Sequence, residues 1–334
     1  MEARATGTTR GKCASGAVEE DASWLRWQSN AFFAGGAVVL ASWLVFGAAV
    51  ASWELFVPVA GALALVMGLP HGALDLWISR RAGLWYDTRS FVRFHALYLG
   101  VAALVVVAFL LAPAVSLALF LAMSVFHFSH DWEGAVSMPV RLLAAALIVI
   151  VPSLAHPQAV ADIFAALTRT ASPRLGELPF QVMLPTMWLA AGTCAAALFQ
   201  SPRAGLEIAL LCALAVALPP IAFFFAYFVL MHSPRHMLHE RGVVQGRGEA
   251  WGVALYTGLA LALVFAATLA VFGPSMSVRG WAAVGDEAAV LRAVFIGLAA
   301  LTLPHVLLVE RARVGRSMLR DRPSGQQSPR FPRS

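Results

Sequence analysis

Lysine is almost missing from this chain. Of 334 residues only Lys12 carries an ammonium group, and it stands in a polar stretch ahead of the first apolar run. An opsin-type photoreceptor holds its chromophore as a Schiff base on a lysine inside a helix, so that class is excluded. Charge of either sign is scarce: Asp, Glu, Lys and Arg make up 13% of the residues, where a soluble globular domain carries about 25%. The three cysteines, Cys13, Cys194 and Cys212, form no CxxC pair and suggest no disulfide framework. No apolar core precedes Ala31, and Glu19, Glu20 and Asp21 break up the N-terminal stretch, so no cleavable signal peptide is expected.

What the chain does have is apolar length. Hydrophobic residues make up 60% of it and its mean hydropathy is +0.75. Uncharged runs such as 31–52 and 251–272 recur, each near the roughly 20 residues that cross a bilayer as a helix. The expected fold is therefore all-α: a polytopic transmembrane bundle of about ten helices. They are placed near 29–50, 53–79, 91–112, 114–130, 139–156, 181–199, 204–218, 220–240, 250–273 and 288–310. Pro219 and Pro220 divide the seventh from the eighth, because proline ends the hydrogen-bond ladder. Residues 1–28 read as a disordered polar tail, 29–310 as the transmembrane domain and 311–334 as a basic disordered tail. Arginines fall mostly on one side if both termini are cytoplasmic: Arg80, Arg81, Arg89, Arg93, Arg141, Arg203, Arg235, Arg241 and Arg247 join those of the tails. The other side holds Arg169, Arg174, Arg279 and Arg292. The net charge of +6 is then a consequence of topology in a bacterial inner (plasma) membrane, with lipid rather than nucleic acid as the surrounding partner.

Five histidines lie at one end of these spans: His71 in GLPHGALD, His127 in FHFSHDW, His232 and His236 in HSPRH, and His305 in LPH. At about 1.5 Å rise per residue their depths agree within roughly a turn or two. Ionisable side chains in apolar spans are costly and read as functional by default. His232 and His236, four apart, project from one helix face, and Pro234 between them is expected to kink the helix and re-aim the rings. Each ligand helix also carries an acid: Asp75, Asp131 and Glu240 follow His71, His127 and His236 by four. Carboxylates commonly orient metal-bound imidazoles, a role assigned here to Asp75 and Asp131, whereas Glu240 beside Arg241 reads as charge neutralisation. His95, His156 and His239 read as interfacial anchors or helix ends. Imidazole suits zinc, copper, iron and nickel alike, so residue type leaves the metal open. The aromatic residues Trp77, Phe126, Phe128, Trp132, Phe223, Phe224, Phe225, Tyr227 and Phe228 cluster near the histidines and suit a long apolar substrate.

At these motifs the chain resembles the Brp/Blh family of membrane-bound β-carotene 15,15′-dioxygenases. GLPHGALD at 68–75 looks like that family's PHGALD element and FHFSHDW at 126–132 like its HFG-x-x-D element. HSPRH at 232–236 looks like its HSxRH element and LPH at 303–305 like its terminal PH element. The resemblance implies that Fe(2+), held by His71, His127, His232 and His236, uses dioxygen to split the central double bond of β-carotene or a related carotenoid into two retinals. The alternative is a non-cleaving carotenoid-, haem- or metal-binding membrane protein. His305 is an additional ligand, an orienting residue or a substrate contact. Two departures stand out. Ser129 replaces the family's glycine and His130 is added beside Asp131, so His130 competes with His127 as the ligand. Leu76 and Trp77 stand where the family has a histidine after the PHGALD aspartate.

Overall fold

A computed structural model describes residues 6–47, 71–169, 180–244, 246–272 and 287–320. The described residues form helices and no strand. In chain order these are α1 Thr6–Phe46, α2 Asp75–Arg81, α3 Thr88–Leu111, α4 Pro113–Ser129, α5 Met138–Ala155 and α6 Pro157–Thr168. They continue with α7 Phe180–Gln200, α8 Pro202–Ala217, α9 Pro220–Tyr227, α10 Ser233–His239, α11 Arg247–Phe272 and α12 Glu287–Arg320. A 3₁₀ turn, His130–Trp132, follows α4, and a π-helical turn, Phe228–His232, joins α9 to α10. Five segments are long and apolar enough to cross a membrane: Ser23–Phe46, Thr88–Leu111, Pro113–Trp132, Met138–Ala155 and Phe295–Gly315.

The expected helix ends in the middle of the chain lie within about three residues of the observed ones. Proline explains much of this, since it fits the first helical turn, where its missing N–H costs nothing. Pro113, Pro157, Pro202 and Pro220 each open a helix in this way. At α3 the start is set by a reciprocal cap: Asp87 accepts from the Ser90 amide at 2.7 Å, and the Ser90 hydroxyl accepts from the Asp87 amide at 3.1 Å. The Ser90 hydroxyl and amide hold the Asp87 carboxyl below its usual value.

Three differences from the expected architecture follow from local chemistry. Helix α1 starts at Thr6 and runs back through the polar stretch read as a tail, and α12 continues past residue 310 to Arg320. Neither extension contains a proline, so nothing interrupts the backbone hydrogen bonding where the apolar run ends. Helix α6 was read as connecting loop, yet PQAVADIFAALT has a proline start and an apolar face that packs Val160, Ala161 and Leu167 inward. The expected second helix before His71 lies largely outside the described residues.

The described helices pack in distinct groups. The larger core joins Phe32 of α1, Trp132 of the 3₁₀ turn, Val140 and Leu147 of α5, Ile208 and Leu214 of α8, Phe223 of α9 and Met231 of the π turn. The second group packs α2 against α12 through Leu74, Trp77, Ile78, Leu308 and Val309. A third cluster, Phe109, Leu117, Leu167 and Ala299, ties α3, α4, α6 and α12 together farther along. Gly252 of α11 admits the Trp77 ring, since a Cβ there would lie 2.4 Å from it. The histidines lie on the seam between the first two groups.

Candidate metal centre

His71 lies four residues before the start of α2, His127 is in the last turn of α4, His232 ends the π turn, His236 is on α10 and His305 follows Pro304 inside α12. All five are buried, with relative exposures between 3% and 7%. The His71 ring centroid lies 4.1 Å from His236, 4.8 Å from His305 and 5.3 Å from His232. His127 is 4.9 Å from His232 and 5.3 Å from His305, and His236 is 5.0 Å from His305. Side chains from four separate segments thus converge on one point.

Their nitrogen atoms fit a cation. One ligand atom each from His71, His127 and His305 lies within 4.8 Å of the others. His71 Nε2 and His305 Nε2 are 3.2 Å apart, a separation open to two imidazoles that share one ion at about 2.0–2.1 Å each. Buried polar atoms are normally hydrogen-bonded. Here His71 Nδ1, His127 Nδ1 and His236 Nε2 are buried without a hydrogen-bond partner. His71 Nδ1 lies on the side of its ring away from the Nε2 that faces His305, so His127 Nδ1 and His236 Nε2 are the orphaned nitrogens a bound cation would satisfy.

The two aspartates orient histidines across helices rather than along their own. His232 Nδ1 faces Asp131 at 3.1 and 3.2 Å, and His305 Nδ1 faces Asp75 Oδ1 at 2.7 Å. A carboxylate there keeps the proton on Nδ1 and turns the Nε2 lone pair to the opposite side of the ring. Each acid also accepts from a tyrosine: Tyr227 donates to Asp131 Oδ2 at 2.7 Å, and Tyr98 to Asp75 Oδ2 at 2.7 Å. Two Tyr–Asp–His relays therefore flank the cluster. In the sequence Asp75 and Asp131 each follow a histidine, His71 and His127, by four. The neighbouring helices instead bring other partners closer.

His130 turns away. Its Nδ1 contacts the His127 carbonyl at 3.1 Å and its Nε2 lies 3.5 Å from Glu310 of α12. Of the two competing residues, His127 is the one whose ring joins the cluster. His95 bonds the Phe91 carbonyl at 2.9 Å, His156 stands at the junction of α5 and α6, and His239 is the last residue of α10. Glu240 is buried just beyond it. Of the aromatic residues, Phe128 and Phe228 lie 4.8 and 5.7 Å from the His232 ring. Phe223 belongs to the main core, Trp77 packs edge-on to Tyr256, and Phe126 packs edge-on to His130.

A buried polar network that the motifs did not reveal stands behind His232 and His236. Arg235 makes a two-pronged pair with Glu207 of α8 at 2.8 and 3.1 Å. It also donates to the Asp131 carbonyl at 2.8 Å and to Gln28 Oε1 at 2.7 and 2.9 Å. Ser29 bonds Glu207, and Arg203 bonds Ser29 and Asn30. One signal was available in the sequence: Glu207 is a charge inside an apolar run, where it needs a partner; Arg235, read as a cytoplasmic-side arginine, is instead buried as that partner.

A family model described as beta-carotene 15,15′-dioxygenase matches residues 62–311. A protein of uncultured marine bacterium 66A03, named beta-carotene 15,15′-dioxygenase, is 28% identical over 261 residues, covering 75% of this chain and 91% of the relative. No solved structure matches the chain.

Proposed function

The chain belongs to the beta-carotene 15,15′-dioxygenase family, and from that premise we propose that it cleaves the central double bond of β-carotene or a related carotenoid with dioxygen. One carbon–carbon double bond is lost, both oxygen atoms of dioxygen are consumed, and two retinal aldehydes form. The observation that carries the reading is the convergence of five buried histidines, of which His127 and His236 each hold a ring nitrogen free for a cation. His71, His127, His232 and His236 would hold Fe(2+), with His305 as a fifth imidazole at the same point. When bound, ferrous iron supplies the redox chemistry that lets dioxygen react with a polyene. The protein's own groups position and protect. Asp131 and Asp75 fix the tautomers of His232 and His305, and Tyr227 and Tyr98 hold the two carboxylates in place. Phe128 and Phe228 present apolar faces beside His232, which suits a hydrocarbon substrate and excludes water. We place the chain in the plasma membrane, with the histidine end toward the cytoplasm.

Expression in a bacterial host that accumulates β-carotene, followed by chromatography of the pigments, tests the reading. Loss of β-carotene with a matching retinal peak, absent with His232→Ala, is the expected result. Intact β-carotene beside folded, iron-loaded protein would overturn it.

The relays make a graded prediction. Asp131→Asn leaves every proposed ligand in place but weakens the acceptor for His232 Nδ1. Loss of such a partner typically costs about 10–100-fold in metal affinity. Chelator competition on the purified protein should show a loss in that range, with a smaller loss for Tyr227→Phe. Unchanged affinity in Asp131→Asn would remove the carboxylate from the site's design.

A further inference from the structure

Helix α1 lies outside residues 62–311, the part of the chain that the family model matches. It is nevertheless joined to the segment that carries two of the five histidines. We propose that α1 is a positioning element of the histidine site, and that Gln28 sets the aim of His232 and His236. It would do so by binding the Leu230 carbonyl and the Arg235 guanidinium together. The proposal rests on the metal-site reading given above.

The chemistry begins with Pro234. It has no N–H, so it cannot give the hydrogen bond that the carbonyl one turn earlier, Leu230, would receive in a regular helix. An unsatisfied carbonyl at this depth is costly. Gln28 Nε2 donates to Leu230 O at 3.0 Å. The same amide's Oε1 accepts two hydrogen bonds from Arg235. One side chain from α1 thus grips the segment on both sides of Pro234, at residues 230 and 235. His232 lies between those two residues and His236 directly after them. Gln28 is 1% exposed, so no water competes for either end of the amide.

The surroundings of α1 suit this task. Gly35 brings its backbone against Leu230 itself: a Cβ there would lie 3.0 Å from Leu230 Cδ2. At Gly36 a Cβ would lie 2.9 Å from Leu210 Cδ2 of α8. The two glycines let α1 approach the π turn and α8 closely enough for Gln28 to reach. Phe32, fully buried, fills the core beneath. Ser29 extends the same network to Glu207, the partner of Arg235. Trp24 lies 5.8 Å from the Arg241 guanidinium, just past the end of α10. A π turn has one more residue per turn than the α-helix that follows it, so the direction of His232 and His236 depends on where that turn is pinned. Gln28 is the pin.

The test compares iron affinity and heat stability of the full-length protein in detergent for the parent, Gln28→Leu, Gln28→Glu and Gly35→Leu. Gln28→Leu removes both ends of the contact. Gln28→Glu keeps an acceptor for Arg235 and loses only the donor to Leu230. Affinity is read by chelator competition on the folded, monodisperse fraction, with ferrous iron as the added metal. A loss of about tenfold or more is expected in each folded variant, on the scale of a lost orienting group. It should appear even where the melting temperature is held near the parent's. A purely structural role would lower the melting temperature and leave the affinity of the folded fraction unchanged, and that result overturns the proposal. Should Gln28→Leu fail to fold, Gln28→Glu and Gly35→Leu decide between the same two outcomes. The parent measured alone reports separately on the metal-site reading: a parent that retains no iron refutes that reading, whereas a loaded parent with equally loaded variants refutes only the role of α1.

Discussion

Alanine at His236 is expected to strip the metal and abolish carotenoid cleavage together. The His236 ring is 4.1 Å from His71 and 5.0 Å from His305, and its Nε2 is buried with no hydrogen-bond partner. Such an atom has no structural use in the apo protein, since leaving it unpaired costs about 1–3 kcal/mol. A cation at the centre of the cluster gives it one. Removal of a ligand should therefore weaken metal binding by more than the ~10–100-fold that follows the loss of an orienting partner. The fold should persist, because α10 is held from behind through Arg235 rather than through His236. Iron content of the purified variant and retinal yield in the β-carotene-accumulating host measure the two effects. A His236→Ala protein that keeps full iron and normal cleavage would sink the ligand assignment. The same substitution at His130, which faces Glu310, should leave most of the iron in place.

Replacing Glu207 with leucine is expected to be the most destabilising single change in the polar network. Arg235 and Glu207 are 5% and 3% exposed and share two hydrogen bonds. Removing one partner of a buried ion pair leaves the other charge unpaired in low dielectric, which costs about 3–5 kcal/mol. The double variant Arg235→Met with Glu207→Leu removes both charges, and buried pairs replaced as a unit by apolar residues are often neutral in stability. Heat denaturation in detergent should then show a large fall for Glu207→Leu and substantial recovery in the double variant. Iron affinity should not recover with it. The Asp131 carbonyl and Gln28 lose their guanidinium partner in the double variant, and Asp131 is what orients His232. Recovery of both properties would mean that the pair serves stability alone.

Element type was readable from the chain because it is a local property. Uncharged length and proline positions placed most described helices to within a few residues. Histidines in apolar runs stood out as a site because burying imidazoles without a purpose is costly. All five met where depth alone had suggested. The hidden part depended on which helices become neighbours. The spacing showed that each acid follows a histidine by four but not which imidazole it would orient; packing of α12 against α2, and of the π turn against the 3₁₀ turn, gave Asp75 to His305 and Asp131 to His232. The choice between His127 and His130 was equally non-local: one ring faces the seam and the other faces Glu310. Gln28 and Ser29 carried no motif at all, since an amide and a hydroxyl in a polar stretch look like solvent-facing residues until a bundle closes over them. The sequence by itself determined that the described residues are helical, that some helices are long and apolar enough to cross a membrane, and that histidines gather at one end of them, because apolar length and imidazoles in apolar runs act residue by residue. Only the tertiary structure decided which acid orients which imidazole and which helix holds the site from behind, because those are distances between segments far apart in the chain.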